Sequence, residues 1–250
     1  MTMSDKKTRT IIALSAFAGL TAHILSAQAE DARWTGEGAF SAGTSSGNTQ
    51  TSDLGLGLKL ERNTGPWTFG VQARADYGET DATETRNRIF LSGNFDHQLR
   101  DTVFGFGQLT YEKDAFSGFA SRIFIGAGLG LDAVKTDTMV WNLRGGPGLK
   151  IDEIDATITS PAKTENSFGA TAQSHWSYQV NEHVKVNNDT GMTYAQTSTQ
   201  WVNMTGLTAS LSDALSARLS FEVRHETHPP IGREQTDTIS RISLVYAIGK

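Results

Sequence analysis

Three groupings of residues in the sequence bear on chemistry. His225-Glu226-Thr227-His228 sets two imidazoles about a carboxylate, donor types that suit borderline metals. Its spacing departs from the i, i+4 histidines of a zinc-protease helix, and on a strand His225 and His228 point to opposite faces. Ordinary rim residues are the better reading, and no metal or other cofactor is expected. Gly126-Ala127-Gly128-Leu129-Gly130 has the composition of a phosphate-binding loop, but no helix follows it. Its glycines alternate with apolar residues, as they do where a strand bends or a side chain from across a barrel needs room. His97 and His183 fall at turns, and His175 adjoins Ser174 but, on a strand, faces the other way, so no Ser-His-Asp set assembles. The chain is read as not an enzyme, with a hydrolase at the rim as the alternative.

The third grouping is the largest. Lys59, Arg74, Arg88, Arg122, Arg144, Arg218, Arg224 and Arg241, with Glu222 among them, all occupy positions opposite an apolar stripe. Most acids instead fall at strand ends, turns and loops, as Asp53, Glu79, Asp81, Glu84, Asp152, Glu153 and Asp155 do, so the strand interiors read as basic although the chain is acidic. A water-facing lumen tolerates such cations, whereas a lipid-facing arginine costs about 2–4 kcal/mol at mid-bilayer. A ring of fixed positive charge would favour anions in a pore. The alternative is a plugged interior in which the arginines pair with Glu37, Asp76, Asp96 and Glu222, and this reading is slightly favoured.

The elements that position these residues are strands. From Trp34 onward apolar residues recur at every second position in segments of about ten, separated by turn-forming clusters. Trp67, Phe69, Val71, Ala73, Ala75 and Tyr77 form one such stripe after the turn Arg62-Asn63-Thr64-Gly65-Pro66. Its end aromatics lie roughly 30 Å apart, the placement of the two aromatic girdles of a membrane barrel and not of a soluble sandwich. Segments of this kind number roughly twelve. Val103 to Tyr111 and Met139 to Leu149 are less regular, because Phe104, Phe106 and Val140 put apolar groups on both faces, so ten is the alternative count. The fold class is therefore all-β, an antiparallel transmembrane β-barrel. Short connections near Gly65, His97–Asp101, Asn181-Glu182 and Ser212-Asp213 are placed in the periplasm. The longer ones at Gly78–Arg86, Asp152–Asn166 and Thr227–Thr236 are placed outside the cell.

The first residues read differently. A basic start, an apolar run from Ile11 to Leu25 and the small-residue stretch Ser26-Ala27-Gln28-Ala29 form a secretory signal over residues 1–29, with cleavage after Ala29 and the barrel over 30–250. Cysteine is absent, which removes disulfides, thiolate metal sites and cysteine nucleophiles together. A formal net charge of −5 argues against nucleic acid as a partner.

Trp34-Thr35-Gly36, Ser46-Gly47-Asn48-Thr49, Arg122 with Gly126, Gly128 and Gly130, Gly145-Gly146-Pro147-Gly148, and Pro229-Pro230 with Gly232 and Asp237 before Leu244 and Tyr246 carry a resemblance. In these the chain resembles the YdiY-like family, described as salt-induced outer-membrane proteins and otherwise as a domain of unknown function. The resemblance implies an outer-membrane barrel whose expression responds to salt, with no catalytic or binding residues to carry over. Such barrels usually end on an aromatic residue, and here Ile248-Gly249-Lys250 stands in its place. The expected partners are outer-membrane lipid and lipopolysaccharide, the barrel-assembly machinery and small anions. The expected activity is a narrow or gated pore with anion preference, the alternative a structural or adhesive barrel acting through its loops.

Overall fold

The computed structural model describes residues 33–47, 51–81, 83–156 and 161–249. The expected signal sequence lies outside the described residues. Twelve strands follow in order: β1 (Trp34–Ser46), β2 (Thr51–Thr64), β3 (Trp67–Thr80), β4 (Thr83–Gln98), β5 (Val103–Asp114), β6 (Phe119–Lys135), β7 (Met139–Ile154), β8 (Lys163–Asn181), β9 (Val184–Ala195), β10 (Gln200–Ser210), β11 (Leu215–Glu226) and β12 (Thr236–Ile248). Each pairs antiparallel with its sequence neighbours, and β12 returns to β1 to close the barrel. The closing ladder runs from Gly36 opposite Ile248 to Ser46 opposite Thr238. No helix occurs among the described residues.

Alternation divides the strands into two faces. Outward positions carry Phe40, Leu91, Leu129 and Leu244, each between 44% and 60% exposed, a surface suited to hydrocarbon. All five tryptophans and all five tyrosines lie on this outer face. Trp34, Trp67, Trp141, Trp176, Tyr178 and Tyr246 sit toward the end of the barrel where β1 begins and β12 ends, the termini end, and Tyr77, Tyr111, Tyr194 and Trp201 toward the other. Trp67 packs against His97 with ring centroids 4.1 Å apart.

At the termini end the connections are the residues 65–66, 99–102, 136–138, 182–183 and 211–214. Gly65 takes φ 56°, a conformation that strains a side chain, and Pro66 presets the φ that follows. At the far end the long connections are 155–162 and 227–235. The expected loop from Gly78 to Arg86 is instead almost all strand, with only two residues between β3 and β4. Ladder pairs Gly78–Arg86, Glu79–Glu84 and Thr80–Thr83 continue β3 and β4 beyond the apolar stripe. Polar residues there look like a loop in sequence because hydropathy marks only the part of a strand that meets lipid.

The irregular segments β5 and β7 belong to the barrel, which excludes the ten-strand count. Phe104 and Phe106 face inward and are 5% and 3% exposed. The Phe104 ring covers Gly130 on β6, and the Phe124 ring covers Gly126 and Gly148, where any Cβ would collide. The room is thus taken by rings from the same or adjacent strands and not from across the barrel. Gly128 and Gly146 allow the β6 and β7 backbones to approach beside Pro147, and a Cβ on Gly128 would sit on the Gly145 carbonyl oxygen. Gly128→Val is therefore expected to destabilise the barrel by roughly 1–3 kcal/mol. The urea midpoint of the refolded protein would show this, and an unchanged midpoint would contradict the close approach.

Candidate functional site

The inward face of the far half of the barrel is built of charge. On β11 the alternating positions Glu222, Arg224 and Glu226 point into the lumen and meet strands on the opposite side of the ring. Arg224 Nη2 donates to Glu112 Oε1 and Oε2 on β5, at 2.7 and 2.8 Å. In the twelve-membered ring β5 stands diametrically opposite β11. Glu222 accepts from Arg74 on β3 at 2.9 Å and lies 3.6 Å from Arg88 on β4. Glu226 lies 2.8 Å from Arg122 on β6 and 3.9 Å from Lys150 on β7. On β12 Arg241 reaches Asp76 of β3 at 3.0 Å and Asp53 of β2 at 3.6 Å. Neighbouring strands add Arg88 to Glu112 at 3.0 Å, Arg122 to Asp152 at 3.3 Å and Lys150 to Asp152 at 2.8 Å. Arg122 also lies 3.9 Å over the Phe119 ring.

These contacts form a plate across the lumen. Seven cations (Arg74, Arg86, Arg88, Arg122, Lys150, Arg224, Arg241) stand with seven carboxylates (Asp53, Asp76, Glu112, Asp114, Asp152, Glu222, Glu226), so it is charge-balanced. Most are nearly buried, with Arg88 4%, Asp152 2% and Glu222 3% exposed. Beyond it, the connection 227–235 comes down on the turn between β5 and β6, also diametrically opposite. A Cβ on Gly118 would meet Pro230 Cβ at 3.0 Å.

On the termini side of the plate lies a cavity of about 600 Å³. Lys59, Gln72, Asn94, Asn142 and Gln173 line it. Arg144 reaches Asp96 at 3.3 Å and lies over the rings of Phe104 and Phe106. His175 Nδ1 is 2.5 Å from Asp189 Oδ1, and nearer the rim Arg218 forms a two-pronged pair with Glu37 at 2.6 and 2.7 Å. Among the described residues the lumen thus holds a vestibule toward the termini end, bounded by the plate.

Residues 38–248 match the family described as "Protein of unknown function, DUF481". The chain belongs to that family. It is 21% identical over 215 residues to the uncharacterized protein YdiY of Escherichia coli (strain K12), covering 85% of this chain and 83% of that protein. Among solved structures, the NanC porin superposes with a TM-score of 0.56 at 14% identity, over 84% of this chain and all of that one (100%). The KdgM porin, solved with disordered oligogalacturonate, superposes with a TM-score of 0.46 at 8% identity, over 85% of this chain and 99% of that one. The likeness to NanC is one of fold.

In this DUF481 barrel the eight cations singled out from the sequence all face the interior, but not as one group. Arg74, Arg88, Arg122, Arg224 and Arg241 belong to the plate, while Lys59, Arg144 and Arg218 stand in or beside the vestibule. Sequence reasoning missed Arg86 and Lys150, and it misplaced part of the acidic set. Asp53 and Asp152 lie within β2 and β7 and are buried inward, so the interior is balanced and not basic. Of the acids expected at strand ends, turns and loops, Asp81 and Asp155 lie in connections and Glu79, Glu84 and Glu153 lie at strand ends. The signal that identifies Asp53 and Asp152 as inward is strand parity: Asp53 shares that of Lys59 on β2, and Asp152 shares that of Arg144 on β7. Glu226, first noted as part of a histidine-rich motif, turns inward to Arg122, and Ser198 donates to it. His225 instead meets the Thr236 hydroxyl at 2.9 Å, and His228 meets that of Thr227 at 3.1 Å. No cluster of metal-ligating side chains occurs among the described residues.

Glu222 faces four arginines, Arg74, Arg88, Arg224 and Arg241. Glu222→Gln is expected to cost about 3–5 kcal/mol, because it leaves buried cations under-compensated. Adding Arg74→Gln should recover part of that loss. Urea unfolding of the two single variants and the double gives the coupling, and strict additivity would show that the pair does not interact.

Proposed function

We propose that this chain is a bacterial outer-membrane barrel that works as a gated pore, with the ion-pair plate as its gate. The observation that carries the reading is the filler. Apolar side chains would plug a lumen at least as stably as buried ion pairs do, yet here the seal is charged and adjoins a water-accessible vestibule. A charged seal can come apart into a hydrated, conducting path, whereas a hydrophobic one cannot do so without exposing apolar surface. The exposed apolar band between two aromatic rims supports the membrane setting. That setting carries with it the short turns in the periplasm, the longer loops outside, and lipid, lipopolysaccharide and the assembly machinery as partners. The reading includes no catalytic step.

Selectivity follows from which half of the plate is weakened. The balanced charge gives no bias while it is intact. Removing carboxylates leaves excess fixed positive charge and an anion preference, and removing arginines does the reverse.

Planar-bilayer recordings test this. Wild-type protein is expected to open rarely. Glu112→Gln with Glu222→Gln should open more often and shift the reversal potential toward anions, and Arg88→Gln with Arg224→Gln should open with a cation bias. If both pairs fold, as judged by resistance to unfolding in cold detergent, and neither conducts, the pore reading fails and a structural barrel acting through its loops takes its place.

A further inference from the structure

The outer surface carries a departure from its apolar band. Where β8, β9 and β10 lie side by side, Ser174, Asn188, Thr190, Asn203 and Thr205 occupy outward positions. Across the ladder Asn188 stands opposite Thr205, and Thr190 opposite Asn203. Their side chains form a network. Asn188 Nδ2 donates to Thr205 Oγ1 at 2.9 Å, Asn203 Nδ2 to Thr190 Oγ1 at 2.7 Å, and Thr190 Oγ1 to Asn188 Oδ1 at 3.0 Å. Beside it, Trp141 Nε1 donates to Ser174 Oγ at 3.0 Å.

The patch is not at a rim. Along β9 it is bracketed by Val186 on one side and Met192 and Tyr194 on the other, and along β10 by Trp201 and Leu207. It therefore sits at a depth where lipid offers acyl chains and no polar groups. Internal bonding lowers the cost of these groups but still leaves two carboxamides and their hydroxyl neighbours facing hydrocarbon. Headgroups lie too shallow to meet them. A partner must present polar groups at the same depth, and this same patch on another copy does so.

We infer that the β8–β10 face is the contact surface of a homodimer. Both copies cross the membrane the same way up, so the two-fold axis runs along the bilayer normal and residues at equal depth meet their own counterparts. Carboxamides suit such a contact because each carries both donors and an acceptor. Outward on the adjoining strands, Gly145, Ala170 and Ala172 leave room for close approach, and Trp176 and Trp201 flank the patch.

The inference rests on the barrel spanning a bilayer, and the test separates the two. The chain has no cysteine, so a single Thr205→Cys reports contact between copies. Leu91→Cys, outward on the diametrically opposite β4, is the control. Both are reconstituted into phospholipid vesicles, checked for insertion by protease protection, and oxidised with copper phenanthroline. Expected is a disulfide-linked dimer for Thr205→Cys and background linking for Leu91→Cys. Insertion with no linking, or with equal linking at both positions, overturns the interface alone, while failure to insert overturns the membrane reading and the interface with it. In mild detergent, Asn188→Leu with Asn203→Leu should lower the dimer association constant about tenfold. An unchanged constant by light scattering overturns the role of the patch.

Discussion

The ladder between β1 and β12 is the constraint on which the rest depends. In hydrocarbon an unpaired backbone N–H or C=O costs several kcal/mol, and an open sheet would present two full edges of them. Closure from Gly36–Ile248 to Ser46–Thr238 removes both edges. Once the ring is closed, each strand has one face to lipid and one to the lumen, and a side chain's role follows from its parity. The same closure brings residues distant in sequence into one cross-section. Arg224 and Glu112 are 112 positions apart and share a hydrogen bond because the ring places β5 opposite β11.

Inside that ring, twelve strands leave more space than a small barrel's side chains fill and less than a general porin leaves open. This chain resolves the ambiguity unevenly. Near β5, β6 and β7 the rings of Phe104 and Phe124 lie over glycines of the same and adjacent strands and thicken one wall. Farther along, long charged side chains span the remaining gap. Arginine suits this task because its planar guanidinium serves several carboxylates at once, as Arg88 does with Asp76, Glu112 and Glu222. Such a plate is held by interactions that are strong only while every member has its partner.

The outside follows a different rule. Lipid contact rewards bulk and penalises polarity, and most outward positions obey it. Both the aromatic rims and the polar patch on β8–β10 belong to this outer face.

Strand number, the inward aim of the seven arginines singled out and the aromatic rims were legible in the sequence, because alternation is a local property that each strand writes into its own residues. Leu54-Gly55-Leu56-Gly57-Leu58 could be read without knowing its neighbours. What the sequence left open was pairing at a distance. It showed Arg122, Arg224 and Glu226 facing inward or near a loop, but not that they meet. Asp53 and Asp152 looked like turn residues because the polar ends of strands and the loops beyond them share a composition. Whether the interior was a basic pore or a sealed plate depended on which strands stand opposite one another. That is set by ring closure and register, where small shifts of many backbone hydrogen bonds move a side chain by several ångströms, and only the tertiary structure decides it.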